Sequence, residues 1–195
     1  VRIRYDRRPT VNILALDPGS QNTAWVLYDG GEPLEWKTQP NDEVRAMLSG
    51  IAQMSQSHPD MLAVEYMRPR GMPTSQDEMD TMFELGRMVQ AWGRNWKPIS
   101  RHEVKVHICG QGNASDANIR AALIDRYGGS KAIAPAGKCL TCKGRGLTGR
   151  GKTREPCGTC VGTGTGAPAG LLHGLTGDAW SALAIAITAA EIMTK

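Results

Sequence analysis

The sequence lacks any apolar run approaching the roughly 20 residues a membrane-spanning helix needs, so no membrane partner is expected. It lacks a secretory pattern as well: residues 1–10 are basic and no apolar core follows them. There is no length for two large lobes, because 195 residues supply one well-cored domain and a small appendage. An even set of cysteines is also missing. Five are present, four of them in two C-x-x-C pairs, and without an export signal that reads as metal binding rather than a disulfide frame. Hydrophobic residues at 41% and charged residues at 22% exclude wholesale disorder. A cytoplasmic globular protein is expected.

The net charge of +4 is unevenly distributed. Residues 1–8 carry Arg2, Arg4, Arg7 and Arg8 against Asp6, a net +3. Residues 138–154 carry Lys138, Lys143, Arg145, Arg150, Lys152 and Arg154 with no acid, a net +6. The other 170 residues are therefore acidic, at −5. An acidic body with two basic extensions suits a polyanionic partner.

Alternation predicts strands over Val11–Asp17, Thr23–Tyr28 and about Leu34–Thr38, the last two joined by an Asp29-Gly30-Gly31 turn. A helix follows from Asn41 or Asp42, either of which can cap it, to about Ser55. Asp60–Glu65 reads as a short buried strand, Gln76–Trp96 as a long helix, and Pro98–Arg101 as an extended segment. Short helices are expected near Glu103–Ile108 and from Ser115 to Tyr127. From Gly128 to Gly170 glycine dominates and apolar periodicity stops, which marks an insertion. Thr176 to about Met193 is a strongly apolar closing helix, with Ala182, Leu183, Ala186 and Ile187 as its buried stripe. The sum is an α/β fold, a mixed sheet flanked by helices.

Asp17 and Glu65 each end an apolar strand, and Asp178 begins the last helix. An unpaired charge at the end of a buried strand is too costly to be there for packing. Strand ends converge at one sheet edge, where three carboxylates repel one another unless divalent cations hold them ionised. Hard oxygen ligands favour Mg²⁺ or Mn²⁺, and a pair of such ions can activate water and stabilise the leaving oxygen of a phosphodiester.

The segment I-L-A-L-D-P-G-S-Q-N-T-A-W (13–25) resembles the first motif of the RuvC Holliday-junction resolvases. L-A-V-E (62–65), L-G-R-M-V-Q-A-W-G (85–93), H-E-V-K (102–105) with G-Q-G-N-A (110–114), and D-A-W-S-A-L-A-I-A-I-T (178–188) resemble later segments of that family, in order. The resemblance spans nearly everything except 1–10 and 131–170. It implies an RNase H-like nuclease domain over 11–130 and 171–195, a homodimer, and metal-dependent cleavage of four-way and other branched DNA in recombination and repair. It assigns Asp17, Glu65 and Asp178 as catalytic Mg²⁺ or Mn²⁺ ligands, with two ions per active site. Lys105 matches a basic position that contacts DNA phosphates. The loop after Glu65 enters the junction centre in this family, which makes Tyr66, Met67, Arg68 and Arg70 DNA-contact candidates.

Two departures stand out. The family places two ligands three residues apart on the last helix, but Leu175 and Ser181 occupy those positions around Asp178, leaving Ser181 or His173 as additional candidates. A second basic residue expected after the glycine motif is replaced by Asp116. The match looks more like the phage-encoded branch, and implies a bacterial or phage-infected cell.

C-L-T-C-K-G-R-G (139–146) and C-G-T-C-V-G-T-G (157–164) both fit C-x-x-C-x-G-x-G, with 14 residues between the pairs. That spacing suits one tetrahedral, structural Zn²⁺ held by Cys139, Cys142, Cys157 and Cys160, with two disulfides as the other possibility. The pattern resembles the zinc modules of DnaJ chaperones. The insertion, 131–170, then offers Lys143, Arg145, Arg150, Lys152 and Arg154 for DNA contact, or serves a protein partner, or only staples the chain. Cys109 reads as a buried thiol. On the long helix Met79, Met82, Phe83, Gly86, Val89 and Gly93 form a stripe suited to core packing or a dimer contact. Other functions remain in view: another RNase H-fold nuclease, or a non-catalytic zinc-containing DNA-binding protein. An actin-like ATPase, suggested by D-P-G-S-Q-N-T, requires two lobes that this length cannot supply.

Overall fold

The apolar segment ending in Asp17 is the central strand of a five-stranded mixed sheet in the computed structural model of the chain. The strands are β1 (Ile13–Pro18), β2 (Asn22–Asp29), β3 (Glu32–Pro40), β4 (Met61–Tyr66) and β5 (Trp96–Ser100), arranged β3-β2-β1-β4-β5. β1, β4 and β5 are parallel, and β2 runs against both its neighbours. The structure describes residues 11–54, 59–68, 71, 73–149, 154–166 and 168–193, so the basic residues 1–10 and the DNA-contact candidates Arg70, Arg150 and Lys152 lie outside it.

One face of the sheet is covered by α1 (Asn41–Gln53) and α2 (Gln76–Trp92), which bury Leu14, Leu16, Trp25, Val44, Leu48, Leu62, Val64, Leu85, Met88 and Trp92 together. α5 (Ala179–Met193) packs on β1, β2 and β4 and against α3 (Arg101–Cys109). It is buried continuously from Ala182 to Ala189, not along a single stripe. Alanines at 182, 184, 186 and 189 keep it slim enough to be enclosed all round.

Several expected boundaries move. α2 stops at Trp92 because Gly93 adopts a left-handed conformation, φ 62°, and accommodates the chain reversal that frees Trp96 for β5. α3 starts earlier than expected, at Arg101, since Ser100 and Glu103 form a reciprocal capping box worth about 1 kcal/mol. α1 has no side-chain cap: Pro40 stands there and the Asn41 side chain is used elsewhere. α4 (Asp116–Arg126) begins after Ser115, whose hydroxyl accepts from the Asn118 amide at 3.2 Å. α5 begins at Ala179, so Asp178 occupies the turn just ahead of it.

Two compact units divide the chain. The first runs to Leu123 and resumes at Leu175; the second is Ile124–Gly174. In the second unit a short 3-10 helix, Gly129–Ile133, precedes a two-stranded ribbon of β6 (Leu147–Thr148) and β7 (Glu155–Pro156).

Candidate functional site

Strand register brings the first two acids together. Ile13 pairs with Met61 and Leu16 with Val64, so Asp17 and Glu65 come next along two neighbouring parallel strands. Glu65 is level with Ile99 and Tyr66 with Ser100, which places Arg101 just past the same edge. The turn after Asp17 is fixed by a small buried network. Thr23 donates to Asn41 Oδ1 at 2.8 Å, and Asn41 Nδ2 donates to the Gly19 carbonyl at 3.0 Å. Gly19 is required there, since a β-carbon would lie 2.7 Å from the Asn22 carbonyl oxygen.

Arg101 is the residue that sequence reasoning missed. Its Nη1 lies 3.2 and 3.4 Å from the two Glu65 carboxylate oxygens and 3.5 Å from Ser181 Oγ, while its Nη2 is paired with Asp116. Burial alone would lower its pKa, but Glu65, Asp116 and Asp17 together raise it. Asp17 faces Glu65 within hydrogen-bonding reach, and its carboxyl is pushed up to about 8. Burial is the main cause, the Glu65 charge adds to it, Arg101 opposes it, and Asp178 contributes a smaller upward push.

Two cavities open along this edge. One of about 300 Å³ is lined by Asp17, Arg101, Asp116, Asp178 and Ser181, with Arg120 and Trp180 at its side. The other, about 150 Å³, is lined by Asp17, Glu65, Arg101 and Met67 among others. Asp17 and Arg101 belong to both. The three expected acids thus share one edge but do not close into one tight cluster. Among the described residues only the four paired cysteines bring three or more candidate ligand atoms all within 4.8 Å of one another. Arg101 occupies the space beside Glu65, and Asp178 lines the larger cavity while Glu65 lines the smaller, so the third acid does not close on the Asp17–Glu65 pair.

The remaining candidates are more scattered. Ser181 joins the larger cavity, whereas His173 is exposed and belongs to the Ile124–Gly174 unit. Tyr66 and Arg68 line a groove of about 510 Å³ with His102, and Arg68 Nη2 is 3.7 Å from Glu103 Oε2. Lys105 is half-buried one turn beyond Arg101 on α3. Cys109 is half-buried rather than buried, and desolvation raises its thiol pKa. On α2, Met79, Phe83 and Gly86 are exposed, because Thr81, Leu85, Met88 and Trp92 form the core-facing side instead.

In the second unit the two C-x-x-C-x-G-x-G segments fold as near copies. Cys139 N–H donates to the Gly164 carbonyl and Cys157 N–H to the Gly146 carbonyl, each at 2.8 Å. Gly146 N–H faces Cys142 Sγ at 3.3 Å, and Gly164 N–H faces Cys160 Sγ at 3.2 Å. The sulfurs of Cys139 and Cys157 are 3.9 Å apart and those of Cys142 and Cys160 3.7 Å. Tetrahedral Zn–S bonds of about 2.3 Å require sulfurs about 3.8 Å apart, whereas a disulfide needs about 2 Å. The backbone amide of Cys160 is the main cause that lowers the Cys157 thiol to about 6. This buried Cys₄ group is therefore shaped to hold a zinc ion. Lys143, Arg145 and Arg154 are exposed in the same unit.

No family model and no curated protein matches the chain. Among solved structures, RuvC of Thermus thermophilus aligns over 94% of this chain and 96% of its own, at 13% identity and a TM-score of 0.57. T. thermophilus RuvC in complex with a Holliday junction substrate aligns over the same shares, at 16% identity and a TM-score of 0.52. The chain has a RuvC-like fold. At these identities the likeness speaks for the fold alone.

Proposed function

We propose that the chain is a metal-dependent endonuclease cleaving phosphodiesters in Holliday junctions and other branched DNA. The observation that carries this is the placement of Asp17, Glu65 and Asp178 along one edge of a RuvC-like sheet, with Asp17 pushed up to about 8 by burial and its acidic neighbours. Such an all-oxygen donor set suits Mg²⁺ or Mn²⁺. When bound, the ion supplies Lewis-acid stabilisation and an activated water. Asp17, Glu65 and Asp178 are the catalytic ligands in this reading, and Ser181 the neighbour with the better claim than His173, because it lines the same cavity.

Zinc in the Cys₄ group is structural, since four thiolates leave no open position for water. The nuclease body comprises 11–130 and 171–195, and 131–170 is an insertion whose basic residues, with Lys105 and the Tyr66–Arg70 loop, hold DNA phosphates. Exposed Met79, Phe83 and Gly86 give a homodimer a two-fold contact on α2. A phage-type resolvase acting in the cytoplasm in recombination and repair fits these features.

Ser181 standing where a further acid is expected favours one competing reading, a zinc-containing DNA-binding protein without catalysis. Asp17→Asn separates the two. The nuclease reading expects wild-type cleavage that the variant loses while still binding a four-way junction; a wild type that binds without metal-dependent nicking supports the alternative.

A further inference from the structure

The acidic edge carries a cation of its own. Arg101 contacts both oxygens of Glu65 through Nη1 and is clamped from the other side by Asp116 through Nη2. Two carboxylates from different elements, β4 and α4, therefore hold one guanidinium in place. A guanidinium stays protonated at any working pH and matches carboxylates in a fixed fork.

The position facing Arg101 from the last helix is Ser181, a hydroxyl, with its Oγ 3.5 Å from Nη1. Arg101 also divides the site. Glu65 opens onto the smaller cavity and Asp178 onto the larger, with Asp17 and Arg101 shared by both. Charge points the same way. With every acid ionised, Asp17, Glu65, Asp116 and Asp178 against Arg101 and Arg120 leave two uncompensated negative charges. One divalent ion neutralises that charge, and a second would leave the site positive.

We propose that Arg101 is the resident second cation of this site, so that the chain takes one divalent ion, at Asp17 and Asp178, instead of two, and Glu65, a ligand in the two-ion arrangement, is paired with Arg101 in its place. The inference rests on the nuclease reading and deepens it. Arg101 acts through Glu65 as a positioning residue: it holds the carboxylate oriented without occupying a water-activating position. Asp116, which stands where the family resemblance leads one to expect a base, is the anchor that keeps Arg101 there.

The test counts ions on the full chain with its four thiolates loaded with Zn²⁺. Free Mn²⁺ is followed by electron paramagnetic resonance during titration, with melting curves as the control for folding. The expected result is one Mn²⁺ per chain in the wild type and two in Arg101→Gln, where Glu65 is released. The capping box of Ser100 and Glu103 is untouched by that substitution. Two ions in the wild type, or one in both proteins, would overturn the role given to Arg101 while leaving the nuclease reading in place. No bound Mn²⁺ in the wild type would remove both. The wild-type count stands as a test even if Arg101→Gln fails to fold.

Discussion

Asp17 and Glu65 stand side by side at the C-terminal ends of adjacent parallel strands, one position beyond the Leu16–Val64 pair. The hydrophobic strands beneath them fix that placement, so two carboxyl groups must coexist in a half-buried setting. The molecule answers with the Arg101 ion pair and with a raised Asp17 pKa.

A pH dependence of stability follows from that raised value. The unfolded Asp17 titrates near its ordinary 3.8 and the folded one near about 8. Between those values the folded chain binds a proton that the unfolded chain releases, so stability falls as pH rises from 3.8 toward about 8. Above that the burial penalty acts in full. Metal-free protein should melt at lower temperature as pH approaches and passes that value, and Asp17→Asn should flatten this slope and stabilise the alkaline state by roughly 1–3 kcal/mol. Glu65, Asp178 and Arg101 face the same carboxyl, so parallel slopes in wild type and variant would assign the effect to other groups.

Metal binding should displace that proton. At neutral pH, calorimetric titration of Mg²⁺ or Mn²⁺ in buffers of different ionisation enthalpy is expected to show release of up to one proton per ion at this site. The release should fade once the pH exceeds about 8, where Asp17 is already ionised. Identical heats in all buffers would contradict the assignment of Asp17 as a ligand.

The Cys₄ group should hold one Zn²⁺ per chain, measurable by metal analysis of the purified protein. Cys139→Ser or Cys157→Ser should lose it. Either change should open Ile124–Gly174 to proteolysis while leaving the sheet unit protected, because the second unit buries little apolar surface besides its cysteines. Unchanged protease resistance would show that the metal is dispensable for that unit.

Deleting 138–161 removes the basic insertion. Junction affinity should drop, and the slope of log K against log salt should flatten by about 0.9 for each phosphate that the shortened chain no longer neutralises. An unaltered slope would reduce the insertion to a folding staple.

On α2, Phe83 is 68% exposed and a β-carbon built on Gly86 meets nothing within 4 Å. Phe83→Glu and Gly86→Lys should therefore fold normally as monomers, yet shift sedimentation from dimer to monomer. A wild type that sediments as a monomer would remove the dimer face.

Much of this site was legible in the sequence because strands that end in acids announce themselves. Asp17 and Glu65 follow apolar runs, and paired C-x-x-C-x-G-x-G segments fix the Cys₄ geometry almost by spacing alone. Trp96 misled: it lies at helical spacing from Trp92, but the Gly93 cap sends it into β5. Arg101 was invisible for a different reason. Its importance arises from a side chain reaching across to Glu65 and Asp116, which are 36 and 15 residues away in sequence. The one available signal was the S-x-x-E capping box at Ser100 and Glu103, which places Arg101 at the helix start on the strand-end edge. Asp116 registered only as a departure from a DNA-contact pattern, and its partner explains it.

The most direct test of the nuclease assignment is cleavage of a synthetic four-way junction with and without Mg²⁺, run beside flap, linear duplex and RNA–DNA hybrid substrates. The expected result is Mg²⁺-dependent paired incision of the four-way junction, little or no cutting of the linear duplex, and loss of incision in Asp17→Asn. Junction binding without incision under any divalent metal, or full cleavage by Asp17→Asn, would contradict it.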